Sequence, residues 1–206
     1  MDDDRFDVQQ VSCDILKEFL ETAIHCVLYI RGLYPPGVFE KTKKYNVPIQ
    51  MCVHPEVTQY ISSLVDGVTV LLEKRLVDKV VIVILRGDNS PVENFVFEIC
   101  GPLTKNRTDN YLYDLEQSLR AFILKLNICD GLLQPLPSDC SWTLHVHTRD
   151  SAIQKLEEKQ DSLNFPWVEA DEKEQTVVDS KLVPLKSMKS NLFQMQLYVE
   201  ESEHKT

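Results

Sequence analysis

His145-Val146-His147 is the first place in this sequence where residue type and spacing suggest chemistry. Alternate side chains of a strand share a face, so the two imidazoles would stand side by side, as in some metal sites. A tetrahedral site needs two more ligands, and only Cys140 lies near in sequence. Solvent-facing strand histidines account for the pair more simply, and no metal is expected. Cys13, Cys26, Cys52, Cys100, Cys129 and Cys140 contain no CxxC, which excludes zinc-ribbon and thioredoxin-type motifs by spacing. A small Cys/His hydrolase can be assembled on paper from these residues and the 5 histidines. Nothing in the sequence sets a nucleophile on a tight turn or a helix start, where it would be activated. GxGxxG, Walker and HExxH patterns are absent. The residues point to a non-enzyme with no catalytic residue and no cofactor.

Other residues suggest contact rather than catalysis. Arg120 sits in the apolar run LRAFILKL, one turn after Glu116. An intrahelical ion pair and an interface arginine are both open readings. Tyr60 lies on the apolar stripe of a helix, and Trp167 follows a proline in an acidic stretch. Core packing is the default for both, although an aromatic in a segment without its own core pins a loop or meets a partner. The stretch Leu192–Glu200 alternates strictly. Phe193, Met195, Leu197 and Val199 face one way, and Leu192, Gln194, Gln196 and Tyr198 face the other. The second face is neutral on a highly charged chain and carries a tyrosine, which is an interface composition.

These residues need elements to hold them. Apolar spacing predicts a helix over Val8–Arg31, stopped by Tyr34-Pro35-Pro36-Gly37. Short strands are expected near Phe39 and Ile49–Val53, flanking a basic loop at Lys41–Lys44. His54-Pro55-Glu56 opens a second helix. Val80–Leu85 reads as a strand buried on both faces, and Arg86–Pro91 turns it into a second strand, Val92–Ile99. A polar stretch Thr104–Asn110, with Asp109 as cap, precedes a third helix ending near Gly131. Ser141–Arg149 alternates as a strand. Asp150–Leu163 is a short amphipathic helix or a connection, Phe165-Pro166-Trp167 punctuates it, and the final strand follows. A late strand must pair with a sheet edge made much earlier, so the connection wraps the domain. The fold class is α+β, helices on one face of a mainly antiparallel sheet.

Composition sets the limits. With 206 residues, 43% hydrophobic and 26% charged, the chain suits one soluble domain. Its net charge of −10 repels a phosphate backbone, so direct nucleic-acid binding is not expected. The acidic MDDDRFD start is no secretory signal, and Ile24–Ile30 is too short to span a bilayer. A reducing compartment, nucleus or cytoplasm, is the expected location.

Several stretches, YPPGVFEKTKKYNVPIQMCVHPE (34–56), DKVVIVIL, PVENFVFEI, LRAFILKLNICD, FPWVEADE, LVPLKSM and MQLYVEE, are similar to the HORMA-domain accessory subunits of translesion DNA polymerase zeta. The likeness spans about Val8 to Glu203. It implies one domain at 8–203: a core at about 8–149, three helices on the sheet, and a C-terminal "seatbelt" at about 150–203 behind an acidic tail, 1–7. The seatbelt of such domains closes over a peptide that adds as a strand to the sheet edge. The resemblance further implies that Tyr60 and Trp167 contact a proline-containing peptide of the polymerase catalytic subunit or of a shieldin subunit. Leu182, Leu192, Gln196 and Tyr198 would form a second face for the carboxy-terminal domain of the Y-family deoxycytidyl transferase. Lys41, Arg120 and Gly131 would form the HORMA dimer interface, and an AAA+ ATPase with a HORMA adaptor would drive opening. Gly32 and Gly131 depart from the family pattern, standing where bulkier or charged residues are expected. A spindle-checkpoint HORMA adaptor is the alternative within the fold.

Overall fold

The computed structural model describes residues 3–100, 111–148, 167–190 and 192–205. The polar stretch with its Asp109 cap, the Asp150–Leu163 segment and Phe165-Pro166 lie outside them.

Helix α1 runs Asp3–Ile30, so the acidic segment expected as a tail is helical from Asp3. The helix also stops before the prolines. Gly32 has φ +63°, its N–H donates to the Tyr29 carbonyl at 3.1 Å, and the Leu33 N–H donates to Leu28 at 3.1 Å. That is a glycine-terminated Schellman cap, and it gives Gly32 a conformational reason to be glycine. Strands β1 (Phe39–Lys44) and β2 (Val47–Cys52) form a hairpin whose two turn residues, Tyr45 and Asn46, both have positive φ. The expected basic loop is therefore corrected: Lys41, Lys43 and Lys44 lie on β1. Helix α2 (Pro55–Glu73) starts with Pro at its first position, as predicted.

Strands β3 (Val77–Leu85) and β4 (Pro91–Cys100), helix α3 (Tyr111–Ile128), strand β5 (Ser141–Thr148), the single turn α4 (Glu172–Gln175), and strands β6 (Ser180–Lys189) and β7 (Gln194–Ser202) complete the described elements. The main sheet has the order β5-β3-β4-β7-β6, every neighbouring pair antiparallel. Phe19 of α1 is fully buried at its centre, edge-on to Phe97 of β4 at 6.1 Å, Phe122 of α3 at 5.9 Å and Tyr45 at 6.2 Å. One side chain thus ties two helices, the sheet and the small hairpin together. Val81, Val83, Leu85 and Val96 form a separate buried patch on the far face with Tyr198 against it, so β3 is buried on both faces, as its β-branched run predicts.

The end of the chain differs from expectation in two ways. A single final strand was expected, whereas β6 and β7 form a hairpin. Pro184 and the lysines of β6 hide the strand from a pattern reading, and a register shift between Pro184 and Lys186 absorbs the proline. Leu192 is 4% exposed and packs in the main core, so its placement on the outer face is corrected. Ser190 Oγ accepts the N–H groups of Leu192 and Phe193, each at 3.1 Å. This local turn takes Leu192 out of the alternation, which begins at Gln194.

Strands β5 and β6 are the two edges of the sheet, and consecutive strands of the chain occupy them. The connection after Thr148 must therefore cross the sheet's width, roughly 19 Å for four inter-strand steps, before Ser180. The later portion of its described part, around Gln175, lies over the face away from the helices. There Asn94 Nδ2 donates to the Gln175 carbonyl at 3.2 Å and to Glu200 at 3.1 Å, and Val177 is buried. Of the wrap expected from the late strand, the described residues contain this end, a strap from Trp167 to β6. Among the described residues no helix is long and apolar enough to cross a membrane.

Candidate functional site

The two sheet edges are chemically unlike. β6 carries Lys181, Pro184, Lys186 and Lys189 together with a register shift, and each of these discourages a further strand. β5 reads SWTLHVHT, with no proline and no Lys, Arg, Asp or Glu. Burial holds the imidazoles of His145 and His147 below the usual histidine range, so they stay neutral near pH 7. They are half-buried rather than solvent-facing. Among the described residues no cluster of His, Cys, Asp and Glu could hold a metal ion, and all six cysteines are free thiols.

Beside the β5 edge lies a cavity of about 480 Å³, walled by Tyr34, Pro35, Val38, Val57 and Tyr60 with Glu56 at its polar side. Tyr60 is 43% exposed, so the core reading of this residue does not hold. Its ring meets Trp142 of β5 edge-on at 5.4 Å. Trp142 Nε1 in turn donates to the Tyr34 hydroxyl at 3.0 Å. Helix α2, the loop after α1 and the sheet edge are thereby joined by three aromatic rings. Burial raises the Tyr60 phenol, and a hydrogen bond with Thr143 of β5 partly opposes that. Tyr34 and Trp142 were missed as site residues. The YPPG turn hints at the first, but the second becomes visible only once β5 is known to be an edge. Trp167 is half-buried against the main core where the described strap begins.

On the far side of the sheet, Leu182 stands opposite Glu200, Pro184 opposite Tyr198 and Ser187 opposite Gln196. Directly opposed residues share a face, so Leu182, Gln196 and Tyr198 are together on the outer face of the β6–β7 hairpin, and Leu192 is not with them. Leu182 is 57% exposed. Tyr198 is half-buried on the Val81/Val96 patch, and Lys79 Nζ donates to its hydroxyl at 3.4 Å.

Arg120 is half-buried on α3, and Leu124, Ile128 and Leu132 follow it at one-turn steps, 45%, 63% and 58% exposed. β2 packs against both α1 and α3. The hairpin carrying exposed Lys41 and the helix carrying Arg120 are therefore neighbouring elements. Gly131 is exposed in the 3-10 turn after α3, with nothing near its missing Cβ. In helical angle these three apolar residues lie roughly opposite the buried stripe Leu115–Leu119–Phe122–Leu126, so the spacing carried a signal that the sequence reading passed over.

The described residues form a helical layer of α1, α2 and α3 on an antiparallel sheet with one uncharged edge and one edge bearing lysines and a proline. The chain belongs to the HORMA-domain family, whose model matches residues 12–176. The human "Mitotic spindle assembly checkpoint protein MAD2B" is 51% identical over 197 residues, covering 95% of this chain and 93% of the relative. The "DNA polymerase zeta processivity subunit" of Arabidopsis thaliana is 36% identical, covering 90% and 83%. Among solved structures, a chain of the mitotic checkpoint complex superposes with a TM-score of 0.78 at 20% identity, covering 95% of this chain and 96% of that one. C. elegans HTP-2 bound to the HIM-3 closure motif gives 0.74 at 12% identity, covering 95% and 92%. These two share the fold. The names of the relatives are those of polymerase subunits and checkpoint proteins, not of catalysts.

Proposed function

We propose that this chain is a non-catalytic adaptor that takes a proline-containing segment of the DNA polymerase zeta catalytic subunit as an added strand on β5 and closes its strap over it. The observation that carries this reading is the edge asymmetry: β5 is uncharged, free of proline and beside an aromatic-walled cavity, while β6 is blocked. Strand addition derives affinity from backbone hydrogen bonds and specificity from side-chain pockets. The names of two relatives, polymerase zeta subunits, support this choice of partner. HTP-2, captured with a closure-motif peptide, supplies the analogy for closure.

In this reading the outer face of the β6–β7 hairpin binds the carboxy-terminal domain of the Y-family deoxycytidyl transferase, bridging two polymerases in translesion synthesis. A shieldin subunit competes for the same β5 edge in break repair. Arg120, Lys41 and the α3 face serve HORMA pairing, including a homodimer, and an AAA+ ATPase acting with a HORMA adaptor reopens the strap. The work is nuclear, with a cytoplasmic pool.

The test is titration of the full chain with a proline-containing peptide of the polymerase catalytic subunit, read by amide exchange. Protection should appear on β5 and deepen on β7. Binding without β5 protection would overturn the edge assignment. A second reading, a spindle-checkpoint adaptor, is favoured by the vertebrate relatives' names. Affinity purification separates the two: checkpoint proteins in place of polymerase subunits would decide for the second.

A further inference from the structure

Docking β7 against β4 creates an electrostatic problem. In the observed register Glu201 stands directly opposite Glu93, and the two are 3% and 0% exposed. Like charges directly opposite on paired strands repel, and burial sharpens the repulsion. Arg31, at the end of α1, already answers Glu93. Its Nε and Nη2 donate to the carboxylate at 2.9 and 2.6 Å, while Nη1 meets Asp130 and Nη2 the Gln134 carbonyl at 2.7 Å. All of these residues lie outside the strap and its hairpin, so that arrangement does not need β7. Glu201 arrives with β7. It accepts the Gln134 N–H at 2.5 Å, which leaves its negative charge to be balanced.

The balancing cation arrives on the same segment. Lys205, one helical-type step beyond Glu201, is 4% exposed. Its Nζ donates to Glu201 at 2.5 Å, to Glu93 and to the Gln134 carbonyl at 3.1 Å. The ammonium therefore lies between the two opposed carboxylates. The segment after β7 is held independently as well, because the Glu203 N–H donates to the Asp179 carbonyl at 3.0 Å, tying it to the end of the strap.

We infer that Lys205 is the latch of the closed strap: Glu201 and Lys205 enter as a self-neutralising pair, and only with Lys205 seated between Glu93 and Glu201 does β7 stay docked on β4. This inference deepens the reading of a strap that opens and closes. It concerns what fastens the strap rather than what the strap captures. With Lys205 removed, Glu201 loses its ammonium partner while it stays buried opposite Glu93, because Arg31 donates to Glu93 and Asp130, and the undocked state, in which Glu201 is hydrated, gains population.

The test is amide exchange on the full chain without peptide, comparing wild type with Lys205→Met and Lys205→Met/Glu201→Gln. The single variant should lose about tenfold or more of the protection on β6 and β7, while α1 and β3 keep theirs. The double variant, which removes the opposed charge, should recover most of it. Unchanged β6–β7 protection in the single variant overturns the latch. An equal loss on α1 and β3 also overturns it, by making the cluster a support of the whole fold, and so does a double variant as poorly protected as the single one. These outcomes are separate from the peptide titration. A chain whose β5 captures nothing, yet whose hairpin is released by Lys205→Met, would defeat the functional reading and keep the latch.

Discussion

His25 illustrates how a single buried side chain carries a property of the whole chain. It is fully buried, and its Nδ1 accepts the Cys52 N–H at 3.1 Å, which leaves the ring proton on Nε2. Burial pushes its pKa from an ordinary 6.5 down to about 4. Between those values the unfolded chain binds more protons than the folded one, so stability falls as pH drops from about 6.5 to about 4. His145 and His147, lowered by burial in the same direction, add to this slope. Urea midpoints should decline through that window, and the His25 ring resonances should stay unprotonated in NMR at pH 5.5. Titration near 6.5 would mean that water reaches the ring. Trp167 gives the second prediction at this scale. Its half-buried ring lies where the described strap begins, and Trp167→Ala should raise the peptide dissociation constant about tenfold or more, about 1.4 kcal/mol. An unchanged isotherm would make Trp167 a packing residue alone.

Among the elements, the ends of α1 and α3 separate two glycines that look alike in sequence. Gly32 holds φ +63° and closes the Schellman cap, whereas Gly131 has no such conformation and open space around it. Gly32→Ala should cost about 1 kcal/mol or more through backbone strain. Gly131→Ala should be neutral or stabilise by up to about 1 kcal/mol, since it restrains only the unfolded chain. Denaturant midpoints on the two variants check the pair, and equal effects would contradict the observed backbone. Neither glycine's role was legible beforehand, because both sit just past a helix and only the dihedral angle tells them apart. The start of α2, the stop of α1 before the prolines, the β3–β4 hairpin and the alternation of β5 were legible, since local periodicity and proline placement report them. Strand β6 was not, because its proline and lysines suit a solvent-facing edge, and being an edge is a fact about neighbours.

At the scale of the whole molecule, the two candidate binding surfaces lie on different strands of one sheet. β3 and β4 separate β5 from β7, a spacing of roughly 14 Å, and mutational effects at such distances are usually additive. Tyr198→Ala should therefore weaken capture of the transferase domain at least tenfold while leaving the polymerase peptide bound. Pull-down with each partner checks this, and equal loss of both would join the surfaces into one. Tyr60, Gln196 and Tyr198 were readable as candidates because aromatic and neutral residues stood out in their patterns. Trp142 was not, since its exposure depends on β5 being a sheet edge, whereas the Leu124–Ile128–Leu132 stripe, opposite the buried face of α3 in helical angle, was readable and passed over.

The order of residues by itself determined the helices, the alternating strands, the absence of a recognisable catalytic motif, and a family likeness strong enough to name partners. Those features are local, recorded within a few turns of chain, or accumulated over the whole length as resemblance. The tertiary structure decided which edge is open, which face Leu192 takes, and that Arg31, Glu93, Glu201 and Lys205 form one buried cluster. Glu93 and Lys205 are 112 positions apart, and each looks like an ordinary surface charge. Only the β4–β7 register sets two carboxylates face to face and makes the lysine between them necessary.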